Sequence, residues 1–140
     1  MRFVAMVTAC VTLAACGSAA TPDVAKIRQT LTRAFHALAG GDGATLCSLA
    51  TQAGQASLAQ AVPHSTCAQV VKLVSAELSP AQKAAMRSAQ VGHVTLQGNR
   101  ATVPETAITS SKGSLRGFLQ AGGAPTRLTK QTDGSWKLSG

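Results

Sequence analysis

The chain has 140 residues, of which 45% are hydrophobic and 13% are charged, and 13 basic against 5 acidic residues give it a net charge of +8. This length and apolar content predict one small globular domain and exclude a wholly disordered chain. Five carboxylates, three histidines and no tyrosine leave few groups for acid–base chemistry, which weakens most enzyme interpretations. The basic residues are spread along the chain without stacking aromatic residues, so nucleic acid is not an expected partner.

The N-terminal segment combines one positive charge with an apolar run. Arg2 is followed by the uncharged residues 3–15. At about 1.5 Å per helical residue this run reaches roughly 20 Å, which is short of the roughly 30 Å hydrocarbon core of a membrane. We therefore interpret it as a secretory signal peptide. Its last residues, Leu-Ala-Ala followed by Cys16, resemble the lipobox of bacterial lipoproteins.

The lipobox resemblance implies that the chain is cleaved before Cys16 and that its thiol receives a diacylglyceryl group, with fatty acids such as palmitate. We then expect a signal peptide at 1–15, a lipidated cysteine and tether at 16–22 and a folded domain at 23–140. The protein would be anchored on the extracytoplasmic face of the cell membrane. An ordinary signal peptide with an incidental cysteine is the alternative.

Helical spacing of apolar residues characterises the first half of the domain. Each predicted helix also has a polar residue suited to cap its N-terminus. The predicted helices are 21–40, capped by Thr21; 42–62, capped by Asp42; 65–78, capped by Ser65 or Thr66; and 79–88, capped by Ser79.

From Gln90 onward the apolar residues follow a strand-like pattern. Gly98-Asn99 predicts the turn of a hairpin whose second strand is disturbed by Pro104, and 132–134 predicts the turn of a final hairpin. The segment 115–119 predicts a weaker strand between them. Helices followed by antiparallel strands predict an α+β fold, with the N-terminal helices packed on one face of a curved sheet.

Two segments of the domain carry a resemblance to a known superfamily. The segments are Ala-Gly-Gly-Asp-Gly-Ala-Thr-Leu-Cys-Ser-Leu-Ala at 39–50 and Asp-Gly-Ser-Trp-Lys-Leu at 133–138. Together with the order of helices and strands, they resemble the NTF2-like lipoproteins of actinobacteria, related to SnoaL-like and ketosteroid-isomerase-like domains. Over about 22–140, the resemblance implies helices packed on a strongly bent sheet that forms a cone around an apolar cavity.

Four residues are candidates for lining this cavity: Leu115, Phe118, Trp136 and Glu105. For Trp136 the favoured interpretation is an indole that caps the core, with its N–H bonded to a backbone group. A wall of the cavity is the alternative. Glu105 is the carboxylate that Pro104 would turn inward if the chain bends there.

Three of the other four carboxylates already have structural explanations, and Glu77 has none. Asp23, Asp42 and Asp133 suit a first helical turn, a helix cap and a turn. No acid–base pair can be placed, so we predict no catalytic residue, no cofactor and no metal site.

Cys47 and Cys67 are the thiols that remain once Cys10 leaves with the signal peptide and Cys16 carries lipid. In an oxidising compartment, such a pair predicts a disulfide, which here would join the second and third predicted helices. A loop of 67 − 47 = 20 residue steps corresponds to about 3 kcal/mol in the chain-entropy estimate. A metal site is a weaker alternative because His64 completes no ligand set.

The surface charge offers one further candidate. Arg127, Lys130 and Lys137 lie on the final predicted hairpin, with Arg116 nearby, and are candidates for one basic patch facing an anionic membrane. A generally solvated basic surface is the favoured alternative.

The function expected from these features is a non-catalytic binding module for a small apolar ligand or an envelope partner. The alternatives are a structural envelope protein without a small ligand and, less favoured, a cavity enzyme of the isomerase or cyclase type. An open apolar cavity would favour binding or catalysis. A cavity filled by Phe118, Leu115 and Trp136 would favour interaction with another macromolecule.

Overall fold

The computed structural model describes residues 21–121 and 126–140, and the predicted signal peptide, Cys16 and most of the tether lie outside the described residues. The described elements are, in chain order, α1 (Pro22–Gly40), α2 (Gly43–Ser48), α3 (Gln52–Gln60), α4 (Cys67–Glu77), α5 (Pro80–Arg87), β1 (Ala89–Val91), β2 (Thr95–Gln97), β3 (Arg100–Thr102), a 3₁₀ turn (Glu105–Ala107), β4 (Ile108–Ser110), α6 (Arg116–Gln120), β5 (Arg127–Lys130) and β6 (Trp136–Leu138). The predicted α+β class is therefore confirmed.

The predicted helix starts are confirmed by their caps. The hydroxyl of Thr21 accepts a hydrogen bond from the backbone of α1, and a carboxylate oxygen of Asp42 does the same for α2. Thr66 and Ser79 each form a complete capping box, in which the residue three positions later bonds back to the cap. At the other end of α1, Gly41 adopts the left-handed conformation, with φ of 68°, that ends the helix.

The single helix predicted over 42–62 is wrong, because the chain leaves the helical path after α2. Ala50 forms a parallel bridge with Leu138, and the backbone N–H of Thr51 donates to the Leu138 carbonyl at 2.8 Å. The Thr51 hydroxyl then caps α3 by accepting from the Gly54 N–H at 3.0 Å. Pairing with the edge of the sheet thus replaces the helical hydrogen bonds that a continuous helix would need.

The strands form two antiparallel sheets where one curved sheet was expected. β1 pairs with β4, and a four-stranded sheet has the order β2-β3-β5-β6. Both predicted hairpins are present, with left-handed Gly98 and Gly134 in their turns. Val91 belongs to the smaller sheet, where it is opposite Ile108, and does not extend the first hairpin.

The strand predicted over 115–119 is also wrong, since the structure has α6 there. Leu115 and Leu119 are one helical turn apart and both are buried, while Phe118 packs partly buried beside them against the core. Their spacing of three and four residues is the helical period. The segment therefore contributes its apolar side chains to the core as a short helix.

The core lies between α1 and the sheets. The largest fully buried side chains include Ile27 and Leu31 of α1, Met86 of α5, Leu128 of β5 and Leu138 of β6. Leu96 lies on β2, the edge strand of its sheet, and is 37% exposed.

Candidate functional site

The four candidate cavity residues differ in their surroundings. Leu115 and Trp136 are each only 3% exposed and form part of the hydrophobic core. Glu105 lies exposed in the 3₁₀ turn, so Pro104 does not turn its carboxylate inward. Glu105 and Leu115 border a surface groove of about 440 Å³, whereas Trp136 borders a different one of about 320 Å³. Glu105 and Leu115 thus lie apart from Trp136 in these grooves, and a cavity lined by all four residues stays a prediction.

Trp136 is held in the core by the first turn of α1. Its Nε1–H donates to Asp23 Oδ1 at 3.0 Å, and Asp23 Oδ2 accepts from the Lys130 ammonium at 2.9 Å. The Lys130 Nζ also lies 6.0 Å from the centre of the indole ring, which is within range of a cation–π attraction. The core-capping interpretation of Trp136 is confirmed, but the partner of its N–H is a carboxylate where a backbone group was expected.

The charge state of Asp23 follows from these contacts. The hydrogen bond from Trp136, and next that from Lys130, hold the pKa of this carboxyl below its ordinary value of 3.8. Both donors favour the ionised form. Asp23 is therefore a carboxylate at neutral pH, tied to two residues that lie more than a hundred positions away in the chain.

Two other carboxylates have the structural roles predicted for them. Asp42 accepts from the hydroxyl and the backbone N–H of Thr45, and these hydrogen bonds lower its pKa. Asp133 accepts from the hydroxyl and the backbone N–H of Ser135, which lowers its pKa in the same way. Both groups are ionised acceptors at neutral pH and are occupied by local donors.

The predicted disulfide is confirmed. Cys47 of α2 and Cys67 of α4 are bonded, with their Cα atoms 6.2 Å apart and a sequence separation of 20. The close approach of these helices depends on Gly43, where a Cβ atom would lie 2.5 Å from the Ala68 carbonyl oxygen. The disulfide thus links two helices that already touch through their backbones.

A surface groove runs between α1 and β6. Lys26 and Arg33 of α1 line it, together with Lys137 of β6 and the Asp133 turn. Trp136 borders the groove, although its side chain is almost fully buried. The groove therefore combines charged groups with apolar surface.

The outer face of the four-stranded sheet brings basic residues together. The register places Arg100 of β3 opposite Thr129 of β5, and Thr129 opposite Lys137 of β6. Arg127 lies two residues before Thr129 and therefore points to the same side. We call Arg100, Arg127 and Lys137, with the threonines and the glutamine around them, the basic face.

The basic face differs from the patch predicted on the final hairpin. Lys130 lies on the opposite side of the sheet, where it bonds to Asp23. Arg116 belongs to α6, outside this sheet. Arg100 was missed, because its place on the face depends on the pairing of β3 with β5.

Comparison with family models, with curated proteins and with solved structures finds no match for this chain. Among residues 21–121 and 126–140, no three His, Cys, Asp or Glu side chains are grouped so that they could hold a metal ion. In the same part of the chain, no helix has both the length and the apolar character to cross a membrane. The described features of interest are therefore the disulfide, the Asp23 contacts and the basic face.

Proposed function

We propose that this protein is a lipid-anchored, extracytoplasmic envelope protein that acts through its surface as a non-catalytic interaction module. The observation that carries this proposal is the burial of two of the four residues expected to line a cavity. Leu115 and Trp136 are core residues, and Asp23 binds the indole N–H. Filling of this region by apolar side chains favours contact with another macromolecule over binding of a small apolar ligand.

The proposed anchor rests on two features of the chain. Cys16 ends a lipobox-like sequence directly after the uncharged residues 3–15. The Cys47–Cys67 disulfide supports a location outside the reducing cytoplasm, because disulfides persist mainly in oxidising compartments. Both features agree with export followed by lipidation of Cys16.

We further propose that the fold is a small, filled variant of the NTF2-like cone. The long α1 packs along an antiparallel sheet, and the chain ends in the β5–β6 hairpin that carries the Asp-Gly-Ser-Trp-Lys-Leu sequence. The separate β1–β4 pair and the buried Trp136 reduce the space that a cone would enclose.

Metabolic labelling with an alkyne fatty acid tests the anchor. Wild-type protein should be labelled and should sediment with membranes, whereas Cys16→Ser should lose the label. Cys10→Ser is the matched control, since it removes a thiol from the same segment and should leave labelling intact. Label that persists in Cys16→Ser would overturn the anchor.

Native mass spectrometry tests how the domain interacts. Protein recovered with its anchor from its own membranes should carry no co-purified small apolar molecule other than membrane phospholipid, and should retain a macromolecular partner or that phospholipid. A stoichiometric small apolar ligand would contradict the surface-interaction proposal.

A further inference from the structure

The basic face presents positive charge on a polar surface. Its positions are Thr95, Gln97, Arg100, Thr102, Arg127, Thr129 and Lys137, as the strand register requires. All are exposed except Thr129 and Lys137, which are half-buried. Among these described positions there is no aliphatic or aromatic side chain and no carboxylate. The nearby acid is Asp133, in the turn before β6, whose pKa is lowered first by its hydrogen bonds from Ser135 and to a smaller extent by the charge of Lys137.

The three cations are close enough for their fields to add. Neighbouring strands lie about 4.8 Å apart, and residues two positions apart in a strand about 6.6 Å. Arg100 and Lys137 are separated by two strand spacings, with Thr129 of β5 between them. Arg127 is on the same middle strand, two residues before Thr129. Their Cα atoms are therefore roughly 8–10 Å from one another, which is about one Debye length at physiological salt.

The start of the described chain lies beside the same hairpin. Asp23, in the first turn of α1, bonds to Lys130 at the end of β5 and to Trp136 at the start of β6. Five residue steps separate Thr21 from Cys16, a span of at most about 18 Å when fully extended. Asp23 lies on the inner side of the sheet, where it bonds to Lys130, so the tether has to pass the edge of the sheet to reach the basic face. Its extended length exceeds the spacing of about 10 Å between layers packed face to face.

We propose that the basic face lies against the anionic headgroups of the membrane that holds the lipid anchor. The proposal rests on the proposed function, because lipid on Cys16 is what keeps the domain within reach of the bilayer. Arg100, Arg127 and Lys137 supply the attraction, and each basic residue at an anionic surface strengthens association about fivefold. Together they favour the membrane-facing orientation on the order of 100-fold.

The composition of the face favours a lipid surface over a protein partner. Protein–protein interfaces have a buried core enriched in aromatic residues and methionine. The basic face has neither, and its threonine and glutamine side chains suit hydrated polar headgroups. Charge complementarity is the interaction that these side chains offer.

Energy transfer from the protein to the membrane surface tests the orientation. Trp136 is the single tryptophan of the chain and lies next to Lys137, so transfer from its indole to dansyl-labelled headgroups reports how close β6 is to the bilayer. The mature protein with its anchor would be reconstituted into vesicles of phosphatidylcholine alone or mixed with phosphatidylglycerol. Transfer should be higher in the anionic vesicles, and the difference should disappear at about 1 M salt, where the Debye length is about 3 Å.

Two triple variants separate the face from the total charge. Arg100→Gln, Arg127→Gln and Lys137→Gln together should abolish the difference between the vesicle types. The matched control, with Lys72→Gln, Lys83→Gln and Arg87→Gln on α4 and α5, removes the same charge and should keep it. A charge-preserving variant, with both arginines changed to lysine and Lys137→Arg, should also keep the difference, which would show that the positive charge at these positions is what matters. The melting temperature of the glutamine variant checks that its loss is not due to unfolding.

The outcomes distinguish failure of the orientation from failure of the anchor. Wild-type protein that floats with both vesicle types but shows equal transfer overturns the orientation alone, as does a control variant that loses as much transfer as the face variant. Self-association that the face variant abolishes, with equal transfer, would assign the face to a second copy and overturn the proposal. Protein that does not float with phosphatidylcholine vesicles overturns the anchor. If such protein floats with the anionic vesicles and the face variant does not, membrane binding by the basic face is supported without the anchor. If it floats with neither vesicle type, both proposals fail.

Discussion

Removal of the Cys47–Cys67 disulfide should lower stability mainly by freeing the unfolded chain. The bond closes a loop with a sequence separation of 20, for which the chain-entropy relation gives about 3 kcal/mol. The perturbation is the double variant Cys47→Ala and Cys67→Ala, which leaves no unpaired thiol in the domain. In the native state α2 and α4 still touch through Gly43 and Ala68, so we expect the fold itself to persist.

The expected change in melting temperature follows from the size of the domain. Residues 21–140 amount to 140 − 20 = 120 residues, for which the entropy of unfolding near the midpoint is about 0.25 kcal/mol/K. A loss of about 3 kcal/mol then corresponds to a decrease of roughly 12 °C. The denaturant m-value should rise, because the unfolded chain without the cross-link exposes more surface.

Thermal unfolding followed by circular dichroism measures this effect. Reduced wild-type protein is the control, since it keeps both sulfur atoms and loses only the bond. If reduced wild type and the double variant melt at similar, lower temperatures, the cross-link is the cause. A decrease in the variant alone would assign the effect to packing of Cys67, which is 8% exposed. A melting temperature unchanged after complete reduction, verified by alkylation, would refute the reasoning.

Asp23→Asn should lower the melting temperature near neutral pH, because the carboxylate binds Trp136 and Lys130. The pKa of Asp23 lies below its ordinary 3.8 in the folded protein, first because of the Trp136 hydrogen bond. The stabilisation by the carboxylate is therefore complete well above pH 3.8 and is lost as the pH falls through the folded pKa. The melting temperatures of wild type and variant, measured between about pH 7 and pH 2, should converge at the acid end, and a difference that stays constant with pH would contradict this. Gly43→Ala should destabilise the domain by about 1–3 kcal/mol, because the new Cβ atom would lie 2.5 Å from the Ala68 carbonyl oxygen. Gly40→Ala is the control for this variant, since no atom lies within 4 Å of its new Cβ, and an equal loss of stability in both variants would exclude the clash as the cause.

The helix starts could be predicted because their hydrogen bonds are local. The hydroxyls of Thr66 and Ser79 each accept from an N–H three residues later, and a glutamine side chain bonds back to each cap. Every atom in this interaction lies within one turn of sequence. The disulfide was predictable for a different reason, since few thiols remain in the mature chain to choose from.

The errors arose where distant segments decide the structure. Residues 49–51 leave the helix to pair with Leu138, which is nearly ninety positions away. β1 pairs with β4 and not with the neighbouring β2, and the Arg28 guanidinium binds the Gly92 carbonyl at 2.8 Å just after β1. None of these partners is visible in local periodicity. For 115–119, by contrast, the helical spacing of Leu115 and Leu119 was present in the sequence and was outweighed by the strands on either side.

The basic face depends both on local sequence pattern and on pairing between distant segments. Side chains alternate between the two sides of a strand, so Arg127 and Lys130, which are three positions apart, face opposite sides. Buried Leu128 identifies the side of Lys130 as the inner one. The same alternation places Lys137 opposite in direction to buried Trp136. What the sequence could not supply is Arg100, whose membership requires the β3–β5 register, and Asp23, whose carboxylate binds Lys130 on the inner side. Asp23 neutralises Lys130 on the inner side of the sheet. No strand residue of the basic face is acidic, so the charge of Arg100, Arg127 and Lys137 remains available to a partner.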